Sequence, residues 1–150
     1  VLDWMEEMKG HGFCRFKGLT CEIPSGAVER LIRTRKFDAL MCAYSLIYQG
    51  ACDYQREPLG IIPLAKSLGM GTLAMRSATS GFLQKLLKTS FPETDMAEIT
   101  RLALNFVFST PEVDVVLVGM TSPEEVLQNC ALASDLGGRL DLRKLHDRYS

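Results

Sequence analysis

The residues best suited to chemistry in this sequence stand at one predicted strand-to-helix turn. Ser122 and Glu125 have the spacing of a helix capping box, with Pro123 at the first helical position. A nearly unbroken aliphatic run (Val113, Val115, Val116, Leu117 and Val118) precedes them and Gly119 ends it, which predicts a strand buried on both faces. The first N–H groups of a helix lack internal partners and can hold a phosphate or another anion. The turn is therefore a candidate anion site.

Side chains that could act as bases or nucleophiles are few and poorly placed. His11 precedes the first predicted strand and His146 lies in the last predicted helix, so neither follows the carboxyl end of a strand. Because a general base must come within hydrogen-bonding distance of its proton, both are predicted to be solvent-facing or helix-end residues. The five cysteines are scattered without a CxxC pair, which favours reduced thiols over a metal or redox site.

The composition excludes several classes of protein. The 150 residues carry 17 Lys+Arg against 18 Asp+Glu and are 47% hydrophobic, which is typical of one globular domain. No basic patch points to nucleic acid, and no apolar run reaches the length of a membrane span. The opening segment VLDWMEEMKG is acidic and amphipathic rather than a signal peptide, so we expect a cytoplasmic chain.

Strand and helix patterns alternate four times along the chain. This rhythm predicts an α/β fold of parallel strands with right-handed crossovers, either an open doubly wound sheet or a barrel. The predicted strands are 13–19, ALMCAYSLI (39–47) passing into a loop, 71–75 and 113–118. Helices are predicted over 2–10, after Pro24, from Pro58, over 81–88, from Asp95, from Ser122, and near Leu140, Leu142 and Leu145. In the helix from Pro58, Pro63 should introduce a kink or shorten the helix. In the helix from Asp95, the side chains of Ile99, Leu102, Ala103 and Phe106 are expected to point inward.

Both architectures place ligands beyond the carboxyl ends of the strands. The candidate site segments are therefore Leu19–Glu22, Ala43–Tyr48, Met75–Ser80 and Gly119–Glu125. We expect functional side chains to converge at this one end of the sheet.

Five segments, in order, resemble the C-terminal half of an aldo-keto reductase. They are KGHGFCRFKGLT, FDALMCAYSLI, GMGTLAMRSATSGFL, RLALNFVFSTPEVDVVLVGM and TSPEEVLQN, and together they cover almost the whole chain. The last resembles the family's closing pattern x-[ST]-P-E-[QR]-[LV]-x-E-N. The resemblance implies half of a (β/α)8 barrel of TIM type and a nicotinamide cofactor, NADP or NAD.

The resemblance begins at the fourth helix of the family's barrel, which has a consequence for catalysis. In the family, hydride transfer to a carbonyl uses an Asp, Tyr, Lys and His tetrad from the first four strands and their loops. None of those segments is present, and Tyr44 matches a family tyrosine that does not donate the proton. The chain is therefore expected to have no catalytic residues and not to reduce carbonyls by itself.

On the cofactor side, the resemblance assigns three residues near the nicotinamide and the pyrophosphate. Thr20 stands where the family has a Ser contacting the nicotinamide amide, and Met75 stands where many members stack an aromatic ring. Arg76 follows and would bind the pyrophosphate with its guanidinium fork; the alternative is a surface Arg paired with an acid. Cys21 and Met41 replace the family's Asn and Gln and so remove specific hydrogen-bonding groups.

The resemblance assigns the adenosine end of the cofactor to the closing segment. Gly119 and Thr121 belong to the anion-holding turn, and Ser122 and Asn129 match adenosine contacts. Glu125 stands where NADP-using members often carry Arg or Gln near the 2′-phosphate. A carboxylate would repel that phosphate but could accept a hydrogen bond from an unphosphorylated ribose. The alternative role of Glu125 is the capping box alone.

Four strands cannot close a barrel, because they leave two open edges and an uncovered inner face. We expect the chain to belong to a longer polypeptide, or to pair with itself or with a separate N-terminal half-barrel. Two functions remain open at this point: the cofactor-binding part of an NAD(P)-dependent oxidoreductase acting on carbonyls or alcohols, and a non-catalytic nucleotide-binding or assembly module that oligomerises. A different phosphate-binding barrel half is a third, weaker interpretation.

Overall fold

Strands and helices alternate along the chain in a computed structural model that describes residues 1–55 and 58–149. The helices are α1 (Leu2–Gly10), α2 (Gly26–Arg33), α3 (Ile61–Ser67), α4 (Phe82–Ser90), α5 (Met96–Phe108), α6 (Pro123–Ser134) and α7 (Leu142–Tyr149). The strands are β1 (Gly18–Cys21), β2 (Ala39–Ala43), β3 (Gly71–Met75) and β4 (Val115–Val116), and a 3₁₀ turn covers Thr79–Gly81.

The four strands form one parallel sheet in the order β1-β2-β3-β4, and the sheet does not close on itself. Its register puts Thr20, Met41, Leu73 and Val115 side by side in one row across the sheet. The predicted α/β fold of parallel strands alternating with helices is thereby confirmed, and all four carboxyl ends lie at the same edge.

One face of the sheet carries the hydrophobic core. Leu40, Cys42 and Ala74 are fully buried there and cluster with Ile62 of α3 and Phe106 of α5. Successive side chains of a strand point to opposite faces, so the Thr20–Val115 row lies on the other side. On that side Thr20 is exposed and Val115 is 46% exposed. The helices therefore cover a single face, which we call the covered face; the other is the open face.

The prediction that 113–118 form a strand buried on both faces is wrong. β4 keeps two residues, Val115 and Val116, and Leu117 is 39% exposed. The aliphatic run is apolar enough for a doubly buried strand, but the described residues offer nothing to pack against its open side.

The first strand also differs from its prediction. Phe13 and Phe16 alternate as in a strand, yet they are 76% and 67% exposed, and β1 starts only at Gly18. The ladder begins there because Asp38 fixes the register: its carboxylate accepts from the Lys17 N–H at 2.7 Å, and its own N–H donates to the Lys17 carbonyl at 2.8 Å.

The helix predicted from Pro58 begins three residues later, at Ile61. Pro63 therefore falls in its first turn, where the missing N–H would have no helical partner in any case. The proline shortens the helix, as predicted, rather than kinking it. Gly60 precedes the helix with φ of +113°, a conformation open only to glycine.

Two further predictions concern buried and exposed side chains. Leu102 of α5 is 41% exposed, so its predicted inward position is wrong, whereas Leu104 is fully buried. His11 caps the C-terminus of α1 and is exposed, which confirms the prediction for this residue. The side chain of His146 lies outside the described residues.

Asp38 and Asp114 form the same contact in two places. Each precedes a strand and accepts a hydrogen bond from a backbone N–H of the neighbouring chain segment: Asp38 from Lys17, and Asp114 from Thr72 at 2.9 Å. Lys66 also pairs with Asp114. The Lys17 N–H lowers the pKa of Asp38, and the Lys66 ammonium, followed by Thr72, lowers that of Asp114, below the ordinary value of 3.8.

Replacing either carboxylate should make the free energy of unfolding less sensitive to a fall in pH. A lowered folded pKa means stabilisation that is complete above the unfolded value and is lost as pH falls through the folded one. We expect Asp38→Asn or Asp114→Asn to lower the free energy of unfolding by about 1 kcal/mol at pH 7, since both carboxylates are partly exposed. Urea unfolding from pH 7 to pH 2 should show the difference shrinking below about pH 4. Glu93→Gln, in an exposed turn, is the control, and an equal loss at every pH would contradict the expectation.

Candidate functional site

The predicted site segments lie together at the carboxyl edge of the sheet. Thr20 is near the end of β1, Met75 ends β3 and Arg76 follows it, and Gly119 follows β4. Because the strands are parallel, these positions share one end. The side chains nevertheless form two groups, one at the ends of β1 and β3 and one beside α6.

In the first group, Arg76 is paired with an acid. Its Nη2 donates to Oε1 of Glu22 at 2.8 Å, and its Nη1 donates to Oγ of Ser80 at 3.2 Å. Glu22 follows β1, so the pair reaches from the end of β3 across β2. The carboxylate raises the pKa of the guanidinium. The alternative of a surface Arg paired with an acid thus describes the observed arrangement. A phosphate at Arg76 has to share the guanidinium with Glu22 or displace the Glu22 carboxylate.

The backbone after β3 is strained. Arg76, Thr79 and Ser80 have φ of +61°, +58° and +53° although none is glycine. Each such residue costs of order 1 kcal/mol or more and persists only where its surroundings hold it. Thr79 provides part of that hold, since its buried hydroxyl accepts from the Leu83 N–H at 3.2 Å. Such strain clusters at functional sites, and no residue type in this stretch signalled it in the sequence.

In the second group, the start of α6 follows the prediction. Ser122 is the N-cap, and its Oγ accepts from the Glu125 N–H at 3.2 Å. Glu125 reaches back one residue further than a standard capping box, because its Oε2 accepts from the N–H of Thr121 at 2.6 Å and from the Thr121 hydroxyl at 3.2 Å. The Thr121 N–H lowers the pKa of Glu125. The capping role assigned to Glu125 is present.

A cleft of about 830 Å³ opens between α5, α6 and the end of β4, and we call it the α5–α6 cleft. Of the predicted site residues, Gly119, Glu125 and Asn129 line it. Thr121 and Ser122 lie beside it at the start of α6. Its volume falls within the range of about 300–1,000 Å³ that is usual for small-molecule sites. The residues present therefore leave room for a nucleoside-sized group.

The α5 wall of this cleft was missed in the sequence. Ala97, Thr100, Arg101 and Leu104 recur at helical spacing on the side of α5 that faces α6. The sequence pattern assigned this helix to the core through its other face alone. The available signal was the placing of Ala97, Thr100 and Arg101 on the side of the helix opposite its predicted apolar stripe.

The cleft is strongly acidic. Among its described lining residues, four carboxylates (Asp95, Glu98, Glu125 and Asp135) face one guanidinium, that of Arg101, which leaves a net charge of −3. Arg101 is itself engaged by Glu98 through two hydrogen bonds of 2.7 Å. Arg101 lowers the pKa of Glu98.

A second hollow of about 440 Å³ lies between α2 and α3. Proline and aliphatic side chains form much of its wall, together with the Glu29 and Arg33 ion pair. It contains none of the predicted site residues, so the α5–α6 cleft is the candidate site.

The described residues contain neither a cluster of metal-ligating side chains nor a helix that could span a membrane. Within 1–55 and 58–149, no group of three or more His, Cys, Asp or Glu side chains is placed to hold a metal ion. Over the same residues, no helix combines the length and apolarity needed to cross a bilayer. The five cysteines are free thiols.

The fold matches part of an aldo-keto reductase. Aldo-keto reductase AKR11C1 from Bacillus halodurans, in its holo form, superposes with a TM-score of 0.68 at 18% identity, over 99% of this chain and 55% of that one. Two Klebsiella pneumoniae aldo-keto reductases, one in complex with NADP and acetate and one with NADPH, give 0.69 and 0.66 at 18% and 17% identity. Each covers 97% of this chain and 51% of its own.

This chain therefore spans about half the length of these reductases. No family model matches it, and no characterised protein matches it in sequence. At such low identity the similarity establishes the fold alone.

Proposed function

We propose that this chain is the C-terminal, cofactor-binding half of an aldo-keto-reductase-like, NAD(P)-dependent oxidoreductase acting on carbonyl or alcohol substrates. The observation that carries the proposal is the α5–α6 cleft at the carboxyl end of β4, with Gly119, Glu125 and Asn129 in its wall. Ligands of parallel α/β folds bind at this end of the strands. The adenosine part of the cofactor would lie in this cleft, with Asn129 available to hydrogen-bond the adenine.

The first group of residues would hold the other end of the cofactor. Thr20 offers a hydroxyl and Met75 an apolar surface for the nicotinamide, and Arg76 would bind the pyrophosphate once Glu22 gives way. When bound, the nicotinamide supplies or accepts the hydride. In this proposal the part of this chain is to hold and orient the cofactor, since the resemblance assigns the family's catalytic tetrad to strands that precede the segments matched here.

The open face supports the proposal that this chain associates with a second half-barrel. Val115 and Leu117 are 46% and 39% exposed, and both edge strands, β1 and β4, lack an outer neighbour in the described sheet. An apolar face between two free strand edges favours association. The occupant would be another copy of the chain or an N-terminal half-barrel that brings the proton donor.

Binding of reduced cofactor tests the function directly. Titrating NADH and NADPH into the chain while following the fluorescence of the reduced nicotinamide should give a saturable change for at least one of them. If neither cofactor changes the fluorescence up to millimolar concentration, the cofactor-binding function is wrong and the non-catalytic assembly module remains. The observation that favours this second function is the open face, which is available whether or not a nucleotide binds.

Self-association should appear in the molar mass. We expect light scattering to give a mass above the 16.7 kDa of one chain, rising with concentration. Val115→Lys, which puts a charge on the open face, should shift the chain towards monomer, because a buried unpaired ammonium is costly. Leu127→Lys, on the 71% exposed Leu127 of α6, is the matched control. A monomer whose strand amides resist hydrogen exchange would contradict the expected association.

A further inference from the structure

We infer that the α5–α6 cleft selects a dinucleotide that lacks a phosphate on its adenosine ribose, so that this chain binds NAD(H) in preference to NADP(H). The inference rests on the proposed function and names its ligand more closely. It contrasts with the Klebsiella pneumoniae structures, which are complexes with NADP and NADPH.

Charge is the first reason. A phosphate monoester carries about −1.5 to −2 charges at neutral pH. The cleft meets it with four carboxylates and with one guanidinium that Glu98 already holds in a two-bond fork. Among the described lining residues no cation is left over to neutralise an added phosphate.

Backbone N–H groups also hold three of these carboxylates in place. Asp95 accepts from the Ala97 N–H at 2.9 Å, and Asp135 accepts from the Gly138 N–H at 2.9 Å. Glu125 is held by Thr121. For Glu125, the hydrogen bond from the Thr121 N–H lowers the pKa of the carboxyl group. These carboxylates therefore cannot turn away from a bound phosphate without giving up the hydrogen bonds that hold them.

Helix N-termini act in the opposite direction but are weaker. Each contributes about half a positive charge within its first turn. At the start of α5, Asp95 already occupies two of the free N–H groups, and at the start of α6, Pro123 has none to offer and Ser122 takes that of Glu125. Two such termini sum to at most about one charge, which is smaller than the net −3 of the cleft.

The same carboxylates suit an unmodified ribose. Both hydrogen bonds that Glu125 accepts from Thr121 use Oε2, and the described contacts leave Oε1 open. A carboxylate oxygen can accept from the vicinal hydroxyls of ribose, whereas a 2′-phosphate offers no such donor. Glu125 thus discriminates in both directions, by accepting from one ligand and repelling the other.

Parallel titrations of the full chain with NADH and NADPH test this inference. We expect NADH to bind at least about tenfold more tightly at low ionic strength, which corresponds to about 1.4 kcal/mol. Glu98→Gln, which releases Arg101, and Glu125→Gln, which keeps an acceptor for the Thr121 N–H, should each reduce this preference about threefold or more. Glu124→Gln is the matched control, since Glu124 neighbours Glu125 in α6 but is not part of the cleft wall.

The outcomes separate the inference from the proposed function. Equal affinities, or tighter binding of NADPH, would overturn the selectivity and leave cofactor binding intact. A preference that Glu124→Gln reduces as much as Glu125→Gln would also overturn it, because general surface charge would then be the cause. Binding of neither cofactor would refute the proposed function itself.

Discussion

Replacing Ala97 by Trp should weaken nucleotide binding at least about tenfold while leaving the fold in place. Ala97 is the exposed second residue of α5 and lines the α5–α6 cleft. An indole there would occupy the space proposed for the adenosine. We expect NADH affinity to fall at least about tenfold, equivalent to about 1.4 kcal/mol, in fluorescence titrations.

The cost to the fold should be small, because the Asp95 cap uses the Ala97 backbone N–H and not its side chain. Trp has only a moderately lower helix propensity than Ala, by about 0.5 kcal/mol. Ala27→Trp is the matched control, since Ala27 is likewise the exposed second residue of a helix behind a capping side chain, in α2. Unchanged NADH affinity in Ala97→Trp would place the ligand elsewhere.

The largest effect on stability is expected at Gly60. A Cβ at this position would lie 2.6 Å from the carbonyl oxygen of Ala51 and 2.8 Å from its carbon, and both are backbone atoms. That carbonyl is not free to move, because it accepts from the Ile62 N–H at 2.9 Å in the first turn of α3. With φ of +113° the site also strains any L residue.

We expect Gly60→Ala to lower the free energy of unfolding by about 3 kcal/mol or more, from strain and overpacking together. Gly69→Ala separates the two causes, because Gly69 also has positive φ, +80°, but an added methyl group there would meet nothing within 4 Å. It should lose only about 1 kcal/mol. Urea unfolding measures the loss in free energy of unfolding for both variants. Equal losses would show that the close approach of the Ala51 carbonyl does not contribute to the cost at Gly60.

The sequence predicted well where local signals and tertiary packing agree. The strand Gly71–Met75 has the predicted bounds, and α6 begins after Ser122, as the capping spacing indicated. These segments need only their own residues and the nearest neighbours to set their structure. The same holds for α5, whose N-cap Asp95 accepts from two first-turn N–H groups.

Prediction failed where the outcome depends on a distant partner. Phe13 and Phe16 alternate like strand residues, but within 1–55 and 58–149 no strand pairs with them. Likewise, no described layer covers the open side of the aliphatic run around Val115. The pairing of Arg76 with Glu22 joins residues 54 positions apart, which no local pattern encodes. The α5 wall of the cleft was missed for a related reason, since only the approach of α6 turns Ala97 and Arg101 into site residues.

The two ends of the proposed ligand site lie at opposite margins of the sheet: Thr20 belongs to β1, the first strand of the order, and Gly119 follows β4, the last. Neighbouring strands are about 4.8 Å apart, so three intervals separate these margins by about 14 Å. A dinucleotide bound at both margins would link the first strand to the last and so restrict the curvature of the whole sheet. By mass action, any interaction that favours this curvature would then raise the affinity for the ligand. The bound ligand would in turn hold the two edge strands in the arrangement that a partner binds.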